Sequence, residues 1–192
     1  MDHLRAHSYS LSTSRLRLRP MTESDWPTLL KWNQDRRVLV SWDSGNTEPW
    51  TLSKLQTVYR GLSRHAFMFM ILFEGKLVGE TWIKEMNLPE LLSAFPGKNL
   101  RRIDLSIGRT ELWGRGFGTE VIECLVRFGF DELVADAIFA CHVSDDNPAS
   151  RRAFEKNGFV DLGATRAEGG PGSDATTKHL MLERSRWTSP KP

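Results

Sequence analysis

The chain has 192 residues, 40% of them hydrophobic and 26% charged, the makeup of a soluble globular domain long enough to bury one sizeable core. Its 26 basic and 24 acidic side chains leave a net charge of +2. That near balance excludes the basic footprint of a nucleic-acid binder and gives no bulk electrostatic argument for a strongly cationic substrate. Cys124 and Cys141 are too few for a disulfide framework and are not spaced as metal ligands, so no metal site is expected and a reducing cytoplasm is the simplest setting. No apolar stretch reaches the roughly 18 residues that span a bilayer, and residues 1–13 lack the apolar run of a signal peptide, so no membrane partner is expected.

Residues 1–13 are polar and read as a flexible tail, leaving 14–187 as one domain. Arg15-Leu16-Arg17-Leu18-Arg19 alternates strictly, the pattern of a half-buried strand that Pro20 ends. Thr22–Asp25 resembles a capping box, and Trp26, Leu29 and Leu30 follow at helical spacing, which predicts a helix over Glu23–Gln34. Asp43–Asn46 reads as a loop, and a second helix is predicted over Leu52–Ser63. Ala66–Phe73 and Leu77–Glu85 form a hairpin of two strands turning at Gly75. Leu88–Asn99 reads as irregular because of Pro89, Pro96 and Gly97.

Arg102–Gly108 is a further strand, with Ile103, Leu105 and Ile107 on one face and Asp104 and Ser106 on the other. A glycine-rich loop follows, then a helix over Gly116–Leu133 with the stripe Val121, Ile122, Leu125, Val126 and Phe130. Ala137–Val143 is an apolar strand, Pro148–Asn157 a short helix stopped by Gly158, and Phe159–Gly163 and Thr176–Arg184 the last strands. The order predicts a single α/β domain with a mixed sheet.

Gly114, Gly116 and Gly118 alternate between a strand and a helix. Without side chains, the backbone of such a loop approaches a ligand closely, and the N–H groups and dipole of the following helix favour an anion. A phosphate or pyrophosphate is the natural guest, with Arg109 and Arg115 as cations at the rim. The loop does not end in Gly-Lys-Ser/Thr as a P-loop would, and its third glycine comes too early for a dinucleotide fingerprint. Alone, the pattern is compatible with a plain turn.

Asn147-Pro148-Ala149-Ser150 opens a helix and Phe154–Phe159 closes it. With the loop, this segment resembles the GNAT superfamily of acetyltransferases. Ile107–Thr119 is similar to that family's acyl-CoA signature and Asn147–Phe159 to its second motif. Trp113–Glu120 resembles the ribosomal-protein alanine N-acetyltransferases, and the strand carrying Asp104 resembles that of aminoglycoside N-acetyltransferases. The resemblance implies a mostly antiparallel sheet of six to seven strands flanked by about four helices and splayed at the acyl-CoA site. It implies acetyl-CoA as cosubstrate, held by Leu105, Ser106 and Ile107 along the pantetheine arm, by Trp113, Gly114, Arg115, Gly116, Phe117, Gly118 and Thr119 around the pyrophosphate, and by Asn147 and Ser150. Trp113 is expected to pack beneath the loop.

Amide formation needs a neutral amine and a proton for the departing thiolate. Many relatives place a tyrosine acid where this chain has Phe154, which cannot donate a proton. Ser150, one turn earlier, is the candidate acid, against the alternative that it only caps its helix. Asp104 is the candidate base and acceptor-binding carboxylate. Glu80 is held in reserve, and Trp42 with Asp43 forms a candidate acceptor wall. His142 reads as structural, and the cysteines as core. Three functions follow: direct acetyl transfer to a primary amine of a small molecule such as an aminoglycoside-like sugar, acetylation of a protein N-terminus, or a non-catalytic acyl-CoA-binding module. The expected partner is a small-molecule amine or a peptide N-terminus, with the chain a monomer or homodimer.

Overall fold

Leu16 and Leu18 are buried while Arg17 between them is exposed, so the first alternating segment folds as the half-buried strand its period demands. In the computed structural model, which describes residues 3–42, 48–166 and 176–188, it is the second of eight strands. The elements run β1 (Leu11–Ser12), β2 (Leu16–Pro20), α1 (Trp26–Trp32), α2 (Arg36–Trp42), α3 (Leu52–Ser63), β3 (Ala66–Phe73), β4 (Lys76–Glu85), α4 (Pro89–Ala94), β5 (Leu100–Ser106), α5 (Phe117–Asp131), β6 (Ala137–Ser144), α6 (Pro148–Glu155), β7 (Val160–Arg166) and β8 (Thr176–Glu183).

The strands make one mixed sheet in the order β1-β2-β3-β4-β5-β6-β8-β7. β5 and β6 run parallel, while β1–β2, β2–β3, β6–β8 and β7–β8 are antiparallel. The described residues hold eight strands and six helices, against the six to seven and about four expected. The additions are short: β1 has two residues, α2 seven and α4 six, too few to show a period. Pro89, one reason Leu88–Asn99 read as irregular, stands in the first turn of α4, where its missing N–H costs nothing.

The chain divides into two compact units, Met1–Trp82 with Leu105–Phe117, and Ile83–Asp104 with Gly118–Pro192. The first is built on a cluster of Trp26, Leu29, Trp32, Leu55, Tyr59, Met68, Met70 and Trp82. Trp26 and Trp32 are therefore core residues, as their helical spacing implies. β3 turns into β4 through Glu74 and Gly75, both with positive φ (49° and 74°), the mirror-image turn that matches strand twist.

Residues ahead of β2, read as a loose tail from their polarity, are held here. The Leu4 N–H donates to Glu23 Oε1 (2.9 Å), the Arg5 N–H to Ser63 Oγ (3.0 Å), and His7 Nε2 meets the Met68 carbonyl (2.9 Å).

Glu23 also takes two hydrogen bonds from Arg60, at 3.0 and 2.9 Å. The Arg60 bonds foremost, then the Leu4 N–H, hold its carboxyl at about 2, against an ordinary 4.5. A depressed carboxyl stabilises the fold above the unfolded-state value and loses that contribution as pH falls through the folded one. A third of the Glu23 side chain is exposed, so solvent screening trims the effect. Glu23→Gln is expected to flatten the fall in stability between pH 4.5 and about 2, read by urea unfolding at stepped pH. A parallel loss in parent and variant across that window would refute the linkage.

In the second unit, Val121, Ile122, Leu125, Val126 and Phe130 of α5 are all buried, the stripe its spacing predicts. Met86, Leu91, Leu100, Ala137, Phe139 and Met181 form a second cluster. Arg184 donates to the Phe130 carbonyl in the last turn of α5 and to the Ala135 carbonyl just beyond the helix.

Candidate active site

The glycine loop has the conformation its composition requires. Gly114 and Gly116 sit at φ +76° and +80°, where a side chain is strained. A Cβ at Gly114 would meet nothing within 4 Å, and one at Gly116 only an Arg15 guanidinium nitrogen at 3.7 Å. The loop thus offers bare backbone to open space beside a cation. Gly118 differs from the other two: it lies inside the first turn of α5, which starts at Phe117 rather than Gly116. Phe117 is the buried anchor, 1% exposed, with its ring 4.8 Å from that of Phe73. Seated there, α5 directs its first-turn N–H groups, from Phe117, Gly118 and Thr119 onward, and its positive dipole end out of its N-terminus. This cradle fits a phosphate or pyrophosphate.

Trp113 does not pack beneath the loop. It is 44% exposed, and its indole N–H donates to the Ile107 carbonyl at 2.7 Å, closing a strap over residues 107–113. The indole N–H finds a better partner at the surface than in an apolar core. Arg109, expected at the phosphate rim, pairs with Glu111 at 2.7 Å. β5 ends at Ser106, two residues earlier than predicted. There the backbone is tightly approached: a Cβ on Gly79 would collide with the Ser106 carbonyl oxygen, and one on Gly108 with the buried Trp32 indole. Leu105 and Ile107 are half-buried and Ser106 is buried, so this stretch can offer main-chain groups rather than side chains.

Within the second unit the parallel pair β5–β6 holds register for three residues only, Leu100↔Ala137, Arg101↔Ile138 and Arg102↔Phe139. The register of this pair ends at Arg102. Asp104 stands two residues beyond the last pair and is exposed, while Ile103 is buried. The Cys141 thiol on β6 feels the negative charge of Asp104 and that of Glu90, opposed by the positive charges of Arg102 and Lys84. Burial foremost pushes that thiol to about 11, and burial, then Arg102, lowers the Lys84 ammonium.

Asn147 caps α6: its side-chain oxygen accepts the Ser150 N–H at 3.0 Å. The cap is therefore Asn147, not Ser150, and among the described residues the half-buried Ser150 hydroxyl makes no hydrogen bond. Phe154 is buried, with its ring 5.1 Å from Phe159, so this position is part of the core. Gly158 closes the segment at φ +83°. Asn157, passed over in the sequence, donates to the Thr119 carbonyl in the first turn of α5 (3.1 Å) and to the Ala153 carbonyl (2.8 Å). It is the physical link between the two motifs. An asparagine ahead of a helix-ending glycine carries no sequence signal of so distant a partner.

Glu80 is 2% exposed and accepts a hydrogen bond from the Tyr59 hydroxyl, next to the Trp26 and Trp50 rings. Nothing in the local sequence of the helix over Leu52–Ser63 marks Tyr59 as the partner of Glu80. Asp43 and the side chain of Trp42 lie outside the described residues. His142 has φ +56° where β6 shifts register against β8 between Ala140 and Val143. Its N–H donates to Nδ1 of the buried His179 at 3.4 Å, which supports the structural reading. No cluster of three or more His, Cys, Asp or Glu side chains able to hold a metal occurs among the described residues, and no helix among them is long and apolar enough to cross a membrane.

A mixed α/β sheet with a short parallel pair, an anion-cradling glycine loop and an asparagine-capped helix tied to the first turn of α5 defines an acyl-CoA-dependent acyltransferase scaffold. Residues 15–160 match the acetyltransferase (GNAT) domain, and the chain belongs to that family. It is 25% identical to aminoglycoside N(6')-acetyltransferase type 1 of Klebsiella pneumoniae, over 91% of this chain and 89% of that protein. Its fold is similar to that of AAC(6')-Ib in complex with ribostamycin and coenzyme A, with TM-score 0.76, 21% identity and coverage of 90% of this chain and 96% of that one. It is similar also to spermidine N-acetyltransferase from Vibrio cholerae in complex with CoA and spermine, with TM-score 0.73, 22% identity and coverage of 90% and 98%.

Proposed function

We propose that this chain transfers the acetyl group of acetyl-CoA directly to a primary amine of a small molecule. The observation that carries the reading is the β5–β6 register, which ends at Arg102↔Phe139 and leaves exposed Asp104 two residues beyond. The family membership, the cradle at Gly114–Thr119 and the amine-acetylating relatives support it.

The coenzyme supplies an activated thioester. Leu105, Ser106 and Ile107 hold the arm through their backbone, Trp113 to Thr119 hold the pyrophosphate, and Asn147 keeps α6 in place beside Ser150. Asp104 takes the proton that the attacking amine sheds as the C–N bond forms. The Ser150 hydroxyl gives a proton to the sulfur as the C–S bond breaks. Holding the two reactants side by side contributes much of the rate.

Asp104 is preferred to Glu80 as the base because Glu80 is enclosed and engaged by Tyr59. Cys141, kept protonated by burial, supports direct transfer over a covalent acyl-cysteine. Trp42 and Asp43 remain candidates for the acceptor wall.

Ser150→Ala is expected to lower kcat about a hundredfold, the low end for a positioned proton donor, with a much smaller change in the KM for acetyl-CoA. An unaltered kcat would return Ser150 to a structural role. The function itself is tested by thiol release from acetyl-CoA across polyamines, aminoglycosides and peptides with free N-termini. Turnover with small amines is expected. Turnover with peptides alone would replace the reading by protein N-terminal acetylation, and coenzyme binding without turnover on any amine by a non-catalytic module.

A further inference from the structure

A cation reaches the glycine loop from 100 residues away in the chain. Arg15, immediately before β2, donates from one terminal guanidinium nitrogen to the Arg115 carbonyl at 3.2 Å. Its guanidinium carbon lies 4.8 Å from the centre of the Phe117 ring, and its other terminal nitrogen stands 3.7 Å from where a Gly116 Cβ would be. Arg115 lies across the same ring, 5.5 Å from its centre, and 5.3 Å from that of Phe73. Two guanidinium groups are therefore held over one aromatic ring at the rim of a loop whose N–H groups already favour an anion. Among the described residues Arg115 forms no ion pair with a carboxylate.

An anion placed between two guanidinium groups is attracted by both. A planar guanidinium fork matches a phosphate in geometry as well as charge, and stacking on Phe117 and Phe73 pre-orients both forks. The helix N-terminus can serve the coenzyme's pyrophosphate. Coenzyme A carries one more phosphate, on the ribose 3′ position. Turning the Arg115 carbonyl toward Arg15 also turns an acceptor away from the incoming anion.

We propose that Arg15 and Arg115 form a second anion site at the loop rim that takes the ribose 3′-phosphate, so that the protein selects coenzyme A over its dephospho form. The inference rests on the acetyl-CoA reading of the loop.

The test is calorimetric titration of coenzyme A and of dephospho-coenzyme A into the parent, Arg15→Ala, Arg15→Lys and Arg115→Ala, at two salt concentrations. Far-UV circular dichroism serves as the check on folding. The parent is expected to prefer coenzyme A at least tenfold and to lose part of that preference at high salt. Arg15→Ala should shrink the preference severalfold while leaving dephospho-coenzyme A affinity near the parent's, whereas Arg115→Ala should weaken both ligands and coenzyme A the more. Arg15→Lys should keep a share of the preference, since the charge stays and the fork is lost. Equal affinity of the parent for both ligands would overturn the inference. So would equal weakening of both ligands in Arg15→Ala, which would confine Arg15 to holding the loop backbone. A parent that binds neither ligand would instead overturn the acetyl-CoA reading itself.

Discussion

Gly116→Val is expected to abolish coenzyme A binding at concentrations that saturate the parent. Gly116 sits at φ +80°, where an L-residue pays about 1–2 kcal/mol and a β-branched one more, because Cβ crowds the following carbonyl oxygen. The space around it is not the obstacle, since the nearest atom to a Cβ is 3.7 Å away. The backbone must instead leave the left-handed region, and the N–H groups that would face the pyrophosphate turn with it. The site is exposed and the Phe117 anchor is untouched, so the fold should survive with a small change in Tm. Calorimetry is the check: tight coenzyme binding by the folded variant would sink the assignment of the loop. Gly116→Ala should fall between the two, as it carries the φ penalty without the second methyl group.

Asp104→Asn is expected to lower kcat by about 10²–10⁴, the usual contribution of a positioned general base. Affinity for acetyl-CoA should change little, because the carboxylate lies past the paired part of β5 and outside the glycine loop. The substitution keeps shape and removes only the proton-accepting charge. At an exposed position it should leave stability within about 0.5 kcal/mol of the parent. Unchanged turnover across the whole pH range would move the base elsewhere, and Glu80, through Tyr59, would be next to examine.

Much of the fold was legible along the chain. The alternation at Leu16 and Leu18, the stripe from Val121 to Phe130 and the hairpin around Gly75 each reflect one residue facing one side of one element, and burial follows their period closely. The short elements were not legible. α4 has six residues and opens on Pro89, which breaks a helix in its interior and suits its first turn, so the residue type alone leaves both outcomes open.

The candidate site divides in the same way. Gly114 and Gly116 announce their conformation through composition, because only glycine takes positive φ without strain. Asn147 and Gly158 bracket a helix with the residues helices use at their ends. Chain-local rules stop at contacts between distant segments. Trp113 read as a packing residue, yet its N–H is placed on the Ile107 carbonyl by the course of the loop. Glu80 read as a reserve base, and it meets the hydroxyl of Tyr59, 21 residues away.

What local sequence settles here is each residue's backbone conformation and the face it presents, since φ preference and hydrophobic period act over a few residues. Partners are settled by packing. Asn157 finds the Thr119 carbonyl across 38 residues and Arg15 the Arg115 carbonyl across 100, and both depend on how strands and helices are laid side by side. Glu80 is buried and costly to leave unpaired, and it bonds to the Tyr59 hydroxyl that the packed elements bring within reach.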